Sequence, residues 1–327
     1  MAPVQQDLFA TGEPQAAVEA LDAAEELAEL VALLNEWSYS RREAFEKCQR
    51  LYYYLYHGAS ARLAKSDPQK ERLKFLKNLT NRHMRAGDLM HLAIRCSLKG
   101  REKGREWSPA FLVEFARKKF QEDLAFSRGY QEGTGIPENG PALLMEVYYG
   151  VAGAEALWRE VEEKLVTALR NYHAPAYSVF RAGVDGGQAK IEVPVSFKLK
   201  EVRLRGKVDL AYNGNARATV VDWKMGQGEG GEDSLQLLFY ALWAIEAFGR
   251  EPDHVDLYKA YLGSGTSSRF DFAARSVWRA KGRISQDVER MRAVDGYGRD
   301  GLVEAFSPCS QERICAACVF QGICPKE

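Results

Sequence analysis

One stretch organises the chain, and it reads Gly206-Lys207-Val208-Asp209-Leu210, a turn at Asn213-Gly214-Asn215, and Ala218-Thr219-Val220-Val221-Asp222-Trp223-Lys224. Alternating apolar and β-branched residues predict two strands joined as a hairpin. Residues two apart in a strand share a face, so Asp222 and Lys224 project together, and Asp209 on the partner strand can reach that face. Two carboxylates beside a lysine are typical of metal-assisted phosphodiester hydrolysis, although an ordinary surface hairpin can have the same charges.

Residues on both sides of the hairpin favour a site over an ordinary surface. Glu192 lies upstream in a strand-like run over residues 189–195. Downstream, Gln236 and Tyr240 are four residues apart on a predicted helix and therefore share a face. Acids, a lysine and two further polar side chains thus occur in a fixed order on predicted strands and a helix.

In that order these residues resemble the PD-(D/E)XK nuclease superfamily, and closely its RecB-like branch, which includes AddB and the CRISPR-associated RecB-like exonucleases. The branch has a Glu-bearing strand, a Gly-x-x-Asp strand, an Asp-x-Lys strand and a Gln-x-x-x-Tyr helix. The matching residues here are Glu192, Gly206 to Asp209, Asp222 to Lys224, and Gln236 to Tyr240. An upstream helical histidine binds metal in the branch, and Gly87-Asp88-Leu89-Met90-His91 is similar to it. The resemblance covers about residues 38–325.

The resemblance implies a fold and a set of site residues. The expected fold is α/β, a restriction-endonuclease-like mixed sheet flanked by helices, with a large helical insertion and a C-terminal cysteine cluster. The expected ligands of Mg²⁺ or Mn²⁺ are His91, Asp209 and Asp222. The expected catalytic residues are Glu192, Asp209, Asp222, Lys224, Gln236 and Tyr240.

Each of these residues has an expected role. Glu192 would be a further metal ligand or would position water. Lys224 would orient the attacking water or stabilise charge in the transition state. Gln236 and Tyr240 would position the DNA strand or the other site residues.

Composition limits the partner and the compartment. The chain has 327 residues, of which 46% are hydrophobic and 28% charged, as in globular proteins with a large core. Because 45 basic and 45 acidic residues give a formal net charge of zero, DNA contacts must come from local patches, the best of them on a helix predicted over 277–294. The sequence lacks both an apolar run of about 18 residues and a signal peptide, so we expect a cytoplasmic protein without a membrane span.

The first 37 residues are predicted as two segments. Residues 1–15 have low complexity and are expected to be disordered. Within them Gln5, Leu8 and Phe9 resemble the short peptide by which bacterial replication and repair proteins dock on the sliding clamp; the alternative is a tail without that function. Residues 16–37 have apolar positions at helical spacing and predict an amphipathic helix.

Residues 38–327 are expected to form the nuclease domain, in three parts. The part over 38–175 is helical, with helices predicted over 41–57, 108–126 and 141–172. The catalytic α/β core over 176–272 has strands predicted over 177–182, 190–199, 202–212, 218–224, 254–262 and 268–272, with the Gln236 helix after the fourth. A final helix and the cysteine region make up 273–327.

Cysteines cluster near the C-terminus, where Cys315, Cys318 and Cys324 follow a C-x₂-C-x₅-C spacing. Three thiolates need a fourth ligand. Cys309 would complete a zinc knuckle, whereas Cys48 would complete a 4Fe–4S cluster that ties the chain ends together, and spacing alone does not choose between them. The resemblance implies the iron–sulfur cluster, because AddB and its relatives have one cysteine before the nuclease core and three after it.

These observations lead to three hypotheses of function. The first is a metal-dependent DNA exonuclease with a structural 4Fe–4S cluster, acting on single-stranded DNA or DNA ends in repair, recombination or defence. The second is a catalytically idle DNA-binding module that assists a helicase or a sliding clamp; the intact Asp222 and Lys224 argue against it. The third is a redox sensor built on the cluster, which nothing in the sequence requires.

Overall fold

The computed structural model describes residues 35–58, 68–228, 235–299 and 301–325. The clamp-like peptide, the tail over 1–15 and most of the helix predicted over 16–37 lie outside these residues. Where that helix was predicted to end, Glu36–Ser38 forms a short strand, β1, so the prediction is wrong for its last two residues. Trp37 gives the physical reason, because it is completely buried and pairs with Leu204 in the sheet.

Six strands form one mixed sheet within the described residues. After β1 they are β2 (Lys190–Leu199), β3 (Val202–Asn213), β4 (Ala218–Lys224), β5 (Val255–Tyr261) and β6 (Thr266–Phe270). β2 pairs antiparallel along one edge of β3, while β1 and β4 share the other edge, β1 at its start and β4 at its end. β5 runs parallel to β4 and β6 antiparallel to β5, which confirms the predicted mixed sheet.

Helices dominate the chain before β2. They are α1 (Tyr39–Lys47), α2 (Gln49–Tyr53), α3 (Pro68–Lys77), α4 (Arg82–Glu102), α5 (Pro109–Gly129), α6 (Met145–Tyr148), α7 (Ala154–Asn171) and α8 (Ser178–Ala182). Further along the chain are α9 (Leu235–Phe248), α10 (Ala274–Arg299) and α11 (Glu312–Ala316). Ser38 and Ser108 begin α1 and α5, since each hydroxyl accepts a hydrogen bond from the backbone three residues on.

Two predicted helices are interrupted in the structure. The helix predicted over 41–57 breaks at Cys48, which has an extended backbone; the thiol caps α2 by accepting from the backbone N–H of Leu51, and a π-helical turn follows at Tyr54–Gly58. The helix predicted over 141–172 is α6 and α7 instead. Gly150 and Gly153 lie between these two helices with φ values of 63° and 70°, a left-handed conformation that glycine favours and that ends helices.

The strand predicted over 177–182 is wrong, because this segment is a 3₁₀ turn at Pro175–Tyr177 followed by α8. Proline is favoured at the first position of a helical turn. Tyr177 and Phe180 are both buried, and their three-residue spacing places them on one side of a helix rather than one face of a strand. The hydroxyl of Tyr177 also reaches two backbone carbonyls at the β5–β6 turn, over 3.0 and 2.8 Å.

Helices cover both faces of the sheet, so that the fold has three layers and two cores. One core lies under α4, α5 and α7 and includes the sheet residues Ile191, Leu210, Val221, Trp223 and Ala260. The other lies under α9 and α10 and includes Val195, Leu204, Val208, Val220 and Leu257. This is the predicted sheet flanked by helices, with the helical part before it in the chain.

None of the helices in the described ranges combines the length and the apolar character that crossing a membrane requires.

Candidate active site

Four charged residues lie side by side across four strands. Glu192 on β2 is opposite Asp209 on β3, because the residue pairs on either side of them are in register. Asp209 is opposite Asp222 on β4, one position beyond the last backbone-bonded pair of those strands. Asp222 pairs in turn with Lys259 on β5. Opposite residues on adjacent strands are close neighbours, so the sheet aligns three carboxylates and a lysine.

Strands β2 and β3 both reverse the sides to which their residues point at the Glu192–Asp209 pair. On β2, Ile191 belongs to the core under α4 and Val193 packs against the core under α9; Leu210 and Val208 on β3 divide in the same way. Residues two apart in a regular strand point to the same side, so both strands turn over between these positions. Glu192 has a left-handed backbone with φ of 51°, a conformation that costs a non-glycine residue about 1–3 kcal/mol.

His91 on α4 completes a group of metal-ligand atoms. Its Nδ1 lies 2.8 Å from Glu192 Oε1 and 3.6 Å from Asp209 Oδ1. In the part of the chain that the structure describes, His91, Glu192 and Asp209 each offer one ligand atom, and the three atoms lie within 4.8 Å of one another. The resemblance implies His91, Asp209 and Asp222 as ligands, with Glu192 as a further ligand or a water-positioning residue. In the structure Glu192 belongs to the group of three, and Asp222 contacts Lys224.

Burial and the close approach of charged groups shift the pKa values of the acids and of His91. Burial is the main cause that raises the pKa of Asp209 to about 7; Asp222 and Glu192 add to the rise, and His91 opposes it. Burial alone would lower the pKa of His91, but the carboxylates of Asp209 and Glu192 outweigh burial and raise it. For Glu192, burial is outweighed by His91 and Lys207, and the pKa is lowered. A bound cation would replace these protons and neutralise the charge repulsion between the acids.

An ion pair followed by a chain of hydrogen bonds connects Asp222 with α9. Lys224 Nζ lies 2.8 Å from Asp222 Oδ2 and donates to Gln236 Oε1 over 3.2 Å. Gln236 Nε2 donates to the Tyr240 hydroxyl, which donates to the carbonyl of Lys207 over 3.0 Å. On β3, this carbonyl lies between the residues that pair with β1 and the residues that pair with β4. No described strand pairs with this part of the edge. Tyr240 therefore satisfies an open backbone group, and through Gln236 it positions Lys224.

The charged side chains of the strand row line one cleft of about 970 Å³, together with His91, Lys224, Gln236 and Tyr240. Three carboxylates of the strand row form its floor together with His91. Basic side chains also line it, and they are Arg85, Arg95, Arg205, Lys207, Lys224 and Lys259. A floor of acids with cations around it is suited to a metal ion and to the phosphates of a nucleic acid.

The donor set of the floor fits a hard divalent cation. Carboxylate oxygens are the ligands that Mg²⁺ and Mn²⁺ prefer, and the imidazole adds a nitrogen suited to transition metals. Asp222 Oδ2 is buried and accepts no hydrogen bond within the described residues, although Lys224 contacts it as an ion pair. Asp209 Oδ2 accepts a hydrogen bond from Trp223 N over 2.8 Å, so its Oδ1 is left to face His91.

Comparison with known proteins identifies the family. The sequence model of the PD-(D/E)XK nuclease superfamily matches residues 36–325. The chain belongs to this nuclease superfamily. A solved structure from Eubacterium rectale, provisionally described as an exonuclease, is similar at 11% identity and a TM-score of 0.44, over 98% of this chain and 96% of that one. No curated protein matches the chain.

Three charged residues of the nuclease cleft are missed by the sequence patterns. Lys259 is 6% exposed and lies beside Asp222. Lys207 pairs with Glu192. Asp88 lines the cleft one helical turn before His91, and burial raises its pKa. The helical period could have indicated Asp88, one turn before His91, and the strand period could have indicated Lys207, two residues before Asp209. Lys259 joins the row of charged residues only when β4 and β5 pair.

A second cavity, of about 480 Å³, brings together cysteines from both ends of the nuclease chain. Its lining includes Cys48, Cys309, Cys315, Cys318 and Cys324. The two candidates for a fourth thiolate, Cys48 and Cys309, are thus both present. Burial raises the pKa of Cys318 to about 11, and the neighbouring thiols add to the rise, so thiolates would accumulate there only with a bound metal.

The spacing of the sulfur atoms differs from that of a zinc site. Four thiolates around a tetrahedral zinc ion lie about 3.8 Å apart, given a Zn–S distance of about 2.3 Å. Among the described residues, no three cysteine sulfur atoms lie within 4.8 Å of one another. The thiols thus line one cavity without the close mutual spacing of bound zinc ligands.

Backbone contacts hold the cysteines of the two ends in place. The backbone N–H of Arg50, on α2, donates to the carbonyl of Ser307 over 3.1 Å. The buried Arg50 guanidinium donates to the carbonyl of Phe306 over 2.9 Å. These bonds fix Cys48 beside the loop that leads into the C-terminal cysteines.

Proposed function

We propose that the chain is a metal-dependent DNA exonuclease, which hydrolyses phosphodiester bonds with Mg²⁺ or Mn²⁺. The observation that carries this proposal is the row of Glu192, Asp209 and Asp222 beside His91 and Lys224 in one cleft. Membership of a nuclease superfamily supports it. The preference for single-stranded DNA or DNA ends follows from the resemblance to the RecB-like exonucleases.

The acids and the histidine have the metal-binding role. His91, Glu192 and Asp209 would hold the ion, and Asp222, whose Oδ2 is ion-paired with Lys224 but accepts no hydrogen bond within the described residues, would be a further ligand. When bound, the metal ion supplies Lewis-acid stabilisation of the charge that develops on the phosphate. Trp223 fixes the orientation of Asp209 through its backbone N–H, so the ligand oxygen is positioned before any ion arrives.

Lys224 has the role of a fixed cation next to the ligands. Asp222 and Gln236 hold its ammonium group, and Tyr240 holds Gln236. Such a pre-positioned charge orients the attacking water or stabilises the negative charge of the transition state without reorganisation. Gln236 and Tyr240 are positioning residues that act through Lys224.

The second part of the proposal is a structural 4Fe–4S cluster bound by Cys48, Cys315, Cys318 and Cys324. The resemblance to AddB and its relatives favours a cluster over a zinc ion, and the four thiols that it implies line one cavity. The cluster would join the N-terminal helices to the C-terminal loop, and its binding free energy would add to the stability of the fold.

A catalytically idle DNA-binding module is less well supported. A binding module would not need Lys224 held between Asp222 and Gln236, nor the left-handed backbone of Glu192. The sliding clamp, through the peptide at Gln5, Leu8 and Phe9, and a helicase remain predicted partners.

An assay on end-labelled DNA tests the proposed activity. With Mg²⁺ or Mn²⁺ we expect single nucleotides or short products from linear DNA, none from closed circular DNA, and none in EDTA. Asp222→Asn should reduce the rate at least about a hundredfold, since losing a charged site group removes about 3 kcal/mol of transition-state stabilisation.

The control variant is Asp253→Asn. It removes an exposed carboxylate that precedes β5, at the opposite end of that strand from Lys259, and the variant should cleave DNA at the wild-type rate. Cleavage of circular DNA would show an endonuclease instead. Metal-dependent DNA binding without cleavage would establish the idle module and refute the proposed reaction.

A further inference from the structure

One face of α10 presents basic and aromatic side chains to solvent. Trp278 and Arg279 lie three and four residues after Arg275, and Arg283 lies four residues after Arg279, which places the four along one side of the helix. All four are exposed, while Val277, Ala280 and Ile284 on the other side are buried in the core. These four residues are called the α10 stripe.

Trp278 is the feature of the stripe that packing does not explain. It is 76% exposed, whereas Trp37, Trp158, Trp223 and Trp243 are at most 7% exposed. A tryptophan this exposed, between cationic side chains on one face of a helix, offers a large aromatic surface to a partner outside the fold.

The nearest charged residues of α10 on either side of Trp278 are all basic. From Arg275 to Gln286 the sequence contains three arginines and Lys281 but no aspartate or glutamate. Neither Arg275 nor Arg279 has an ion-pair partner among the described residues. Other surface arginines do have partners, such as Arg101 with Asp185 and Arg217 with Asp256. In a chain of zero net charge, this is a local cationic surface.

The helix that bears the α10 stripe also contacts α1, which borders the cleft. Further along α10, Asp287 pairs with Arg42 on α1 over 3.1 Å, and the N-terminal residues of α1 line the cleft. Trp278 lies nine residues from Asp287, which is about 14 Å along the helix axis. The stripe thus lies on the same helix as a residue that contacts α1, one of the elements that border the cleft.

We propose that the α10 stripe is a second nucleic-acid contact, which holds an unpaired stretch of DNA outside the cleft. Trp278 would stack on a base, and Arg275 and Arg279 would bind the flanking phosphates. Single-stranded DNA is the fitting partner because an exposed indole can stack only on a base that has an open face, and duplex bases already stack on each other. This inference rests on the proposed nuclease function for the identity of the strand.

Binding of fluorescent oligo-dT to the full-length protein in EDTA tests the stripe without cleavage. We expect Trp278→Ala to weaken binding about tenfold to a hundredfold, the effect typical of losing one base–aromatic stack. In the double variant Arg275→Gln/Arg279→Gln, the slope of log K against log salt concentration should fall by about 1.4, because each single-strand phosphate contact contributes about 0.7.

A matched control is Arg159→Gln/Arg170→Gln, which removes two exposed arginines from α7 and should leave both quantities unchanged. Saturating oligo-dT should also quench tryptophan emission in wild type, and Trp278→Phe should lose that quenching. This second measurement reports on the contact even if Trp278→Ala lowers stability.

If the stripe variants bound oligo-dT with the wild-type affinity and the wild-type dependence on salt, the inference would be overturned while the nuclease proposal would stand. A stripe that bound oligo-dT in a protein that did not cleave would refute the nuclease proposal alone. Loss of binding to phosphatidylserine vesicles, with DNA binding unchanged, would overturn the inference in favour of a membrane surface.

Discussion

Glu192 adopts a left-handed backbone conformation in the middle of a strand, and its neighbours explain why this is tolerated. His91 Nδ1 contacts one carboxylate oxygen over 2.8 Å, and Lys207 contacts the other. The carboxylate is thereby satisfied at the point where β2 and β3 exchange faces. The strain at this residue is compensated by contacts that themselves form the metal-ligand group.

The raised pKa values at the site predict a pH dependence of metal binding. Asp209, with a pKa of about 7, and His91, whose pKa is also raised, must both lose a proton before they can bind a cation. Protonation increases as pH falls, so Mn²⁺ affinity should be highest above pH 8 and decrease below pH 7. Calorimetric Mn²⁺ titrations between pH 6 and pH 8 should show this fall and proton release on binding. An affinity independent of pH would contradict it.

Much of the residue pattern was predictable from the sequence, but its extension across the sheet was not. The strand period correctly brings Lys224 to Asp222, and the helix period brings Gln236 to Tyr240. Strict alternation cannot reveal that two strands turn over at Glu192, because that depends on a backbone angle. Lys259 was missed because its position beside Asp222 is created by pairing between strands that are far apart in sequence.

At the scale of elements, the site depends on how α9 is seated on β3. Gly206 faces Phe239 of α9, and a Cβ at this position would lie 2.4 Å from a carbon of the phenylalanine ring. Phe197 and Trp37 contact the same ring, which limits its movement. The absence of a side chain at Gly206 therefore sets the distance between α9 and the sheet, and with it the position of Gln236.

Gly206→Ala tests this seating. The added methyl should force α9 away from β3, reduce the free energy of unfolding by about 1–3 kcal/mol, and lower the cleavage rate because Gln236 moves with the helix. Urea denaturation and the nuclease assay measure the two effects. Gly129→Ala is the control, since an added Cβ there meets no atom within 4 Å and should not destabilise the protein. Equal stability of both variants would contradict the close contact.

The elements that the sequence mispredicted have long-range causes. The strand predicted over 177–182 has β-like residues, but the contacts of Tyr177 with the β5–β6 turn favour a helical segment. The helix predicted over 41–57 breaks at Cys48, where the extended backbone turns the thiol towards the second cavity. In both places a contact with a distant part of the chain overrides local preference.

At the scale of the whole molecule, the N-terminal helices and α10 are tied by a buried ionic network. Arg41 contacts Asp295 over 3.2 Å, Tyr52 donates to Asp295 over 2.7 Å, and His57 Nε2 lies 2.9 Å from the same carboxylate. All four side chains are buried. Removing one partner would leave a buried charge uncompensated, so the two ends of the chain are coupled at this point as well as at the cysteines.

The proposed cluster makes a prediction on the same scale. Protein purified without oxygen should be brown, absorb near about 400 nm and contain about four irons per chain. Cys48→Ala should lose the colour and lower the melting temperature, because the cluster would link both ends and its binding supports folding. Iron analysis and thermal melting measure these outcomes.

The matched variant is Cys309→Ala, which alters the same cavity and should keep the iron. A colourless protein with about one zinc ion, in which Cys309 is essential and Cys48 is not, would show that the cavity is a zinc site.

The central claim is that the acid row binds the metal and Lys224 acts in the reaction, and comparing Mn²⁺ binding with DNA cleavage in two variants tests it most directly. Lys224→Met should bind Mn²⁺ at least as tightly as wild type, since it removes a cation next to Asp222, yet cleave at least about a hundredfold more slowly. Asp209→Asn should lose both metal binding and cleavage. Cleavage at the wild-type rate by Lys224→Met, or unchanged Mn²⁺ affinity in Asp209→Asn, would contradict the account.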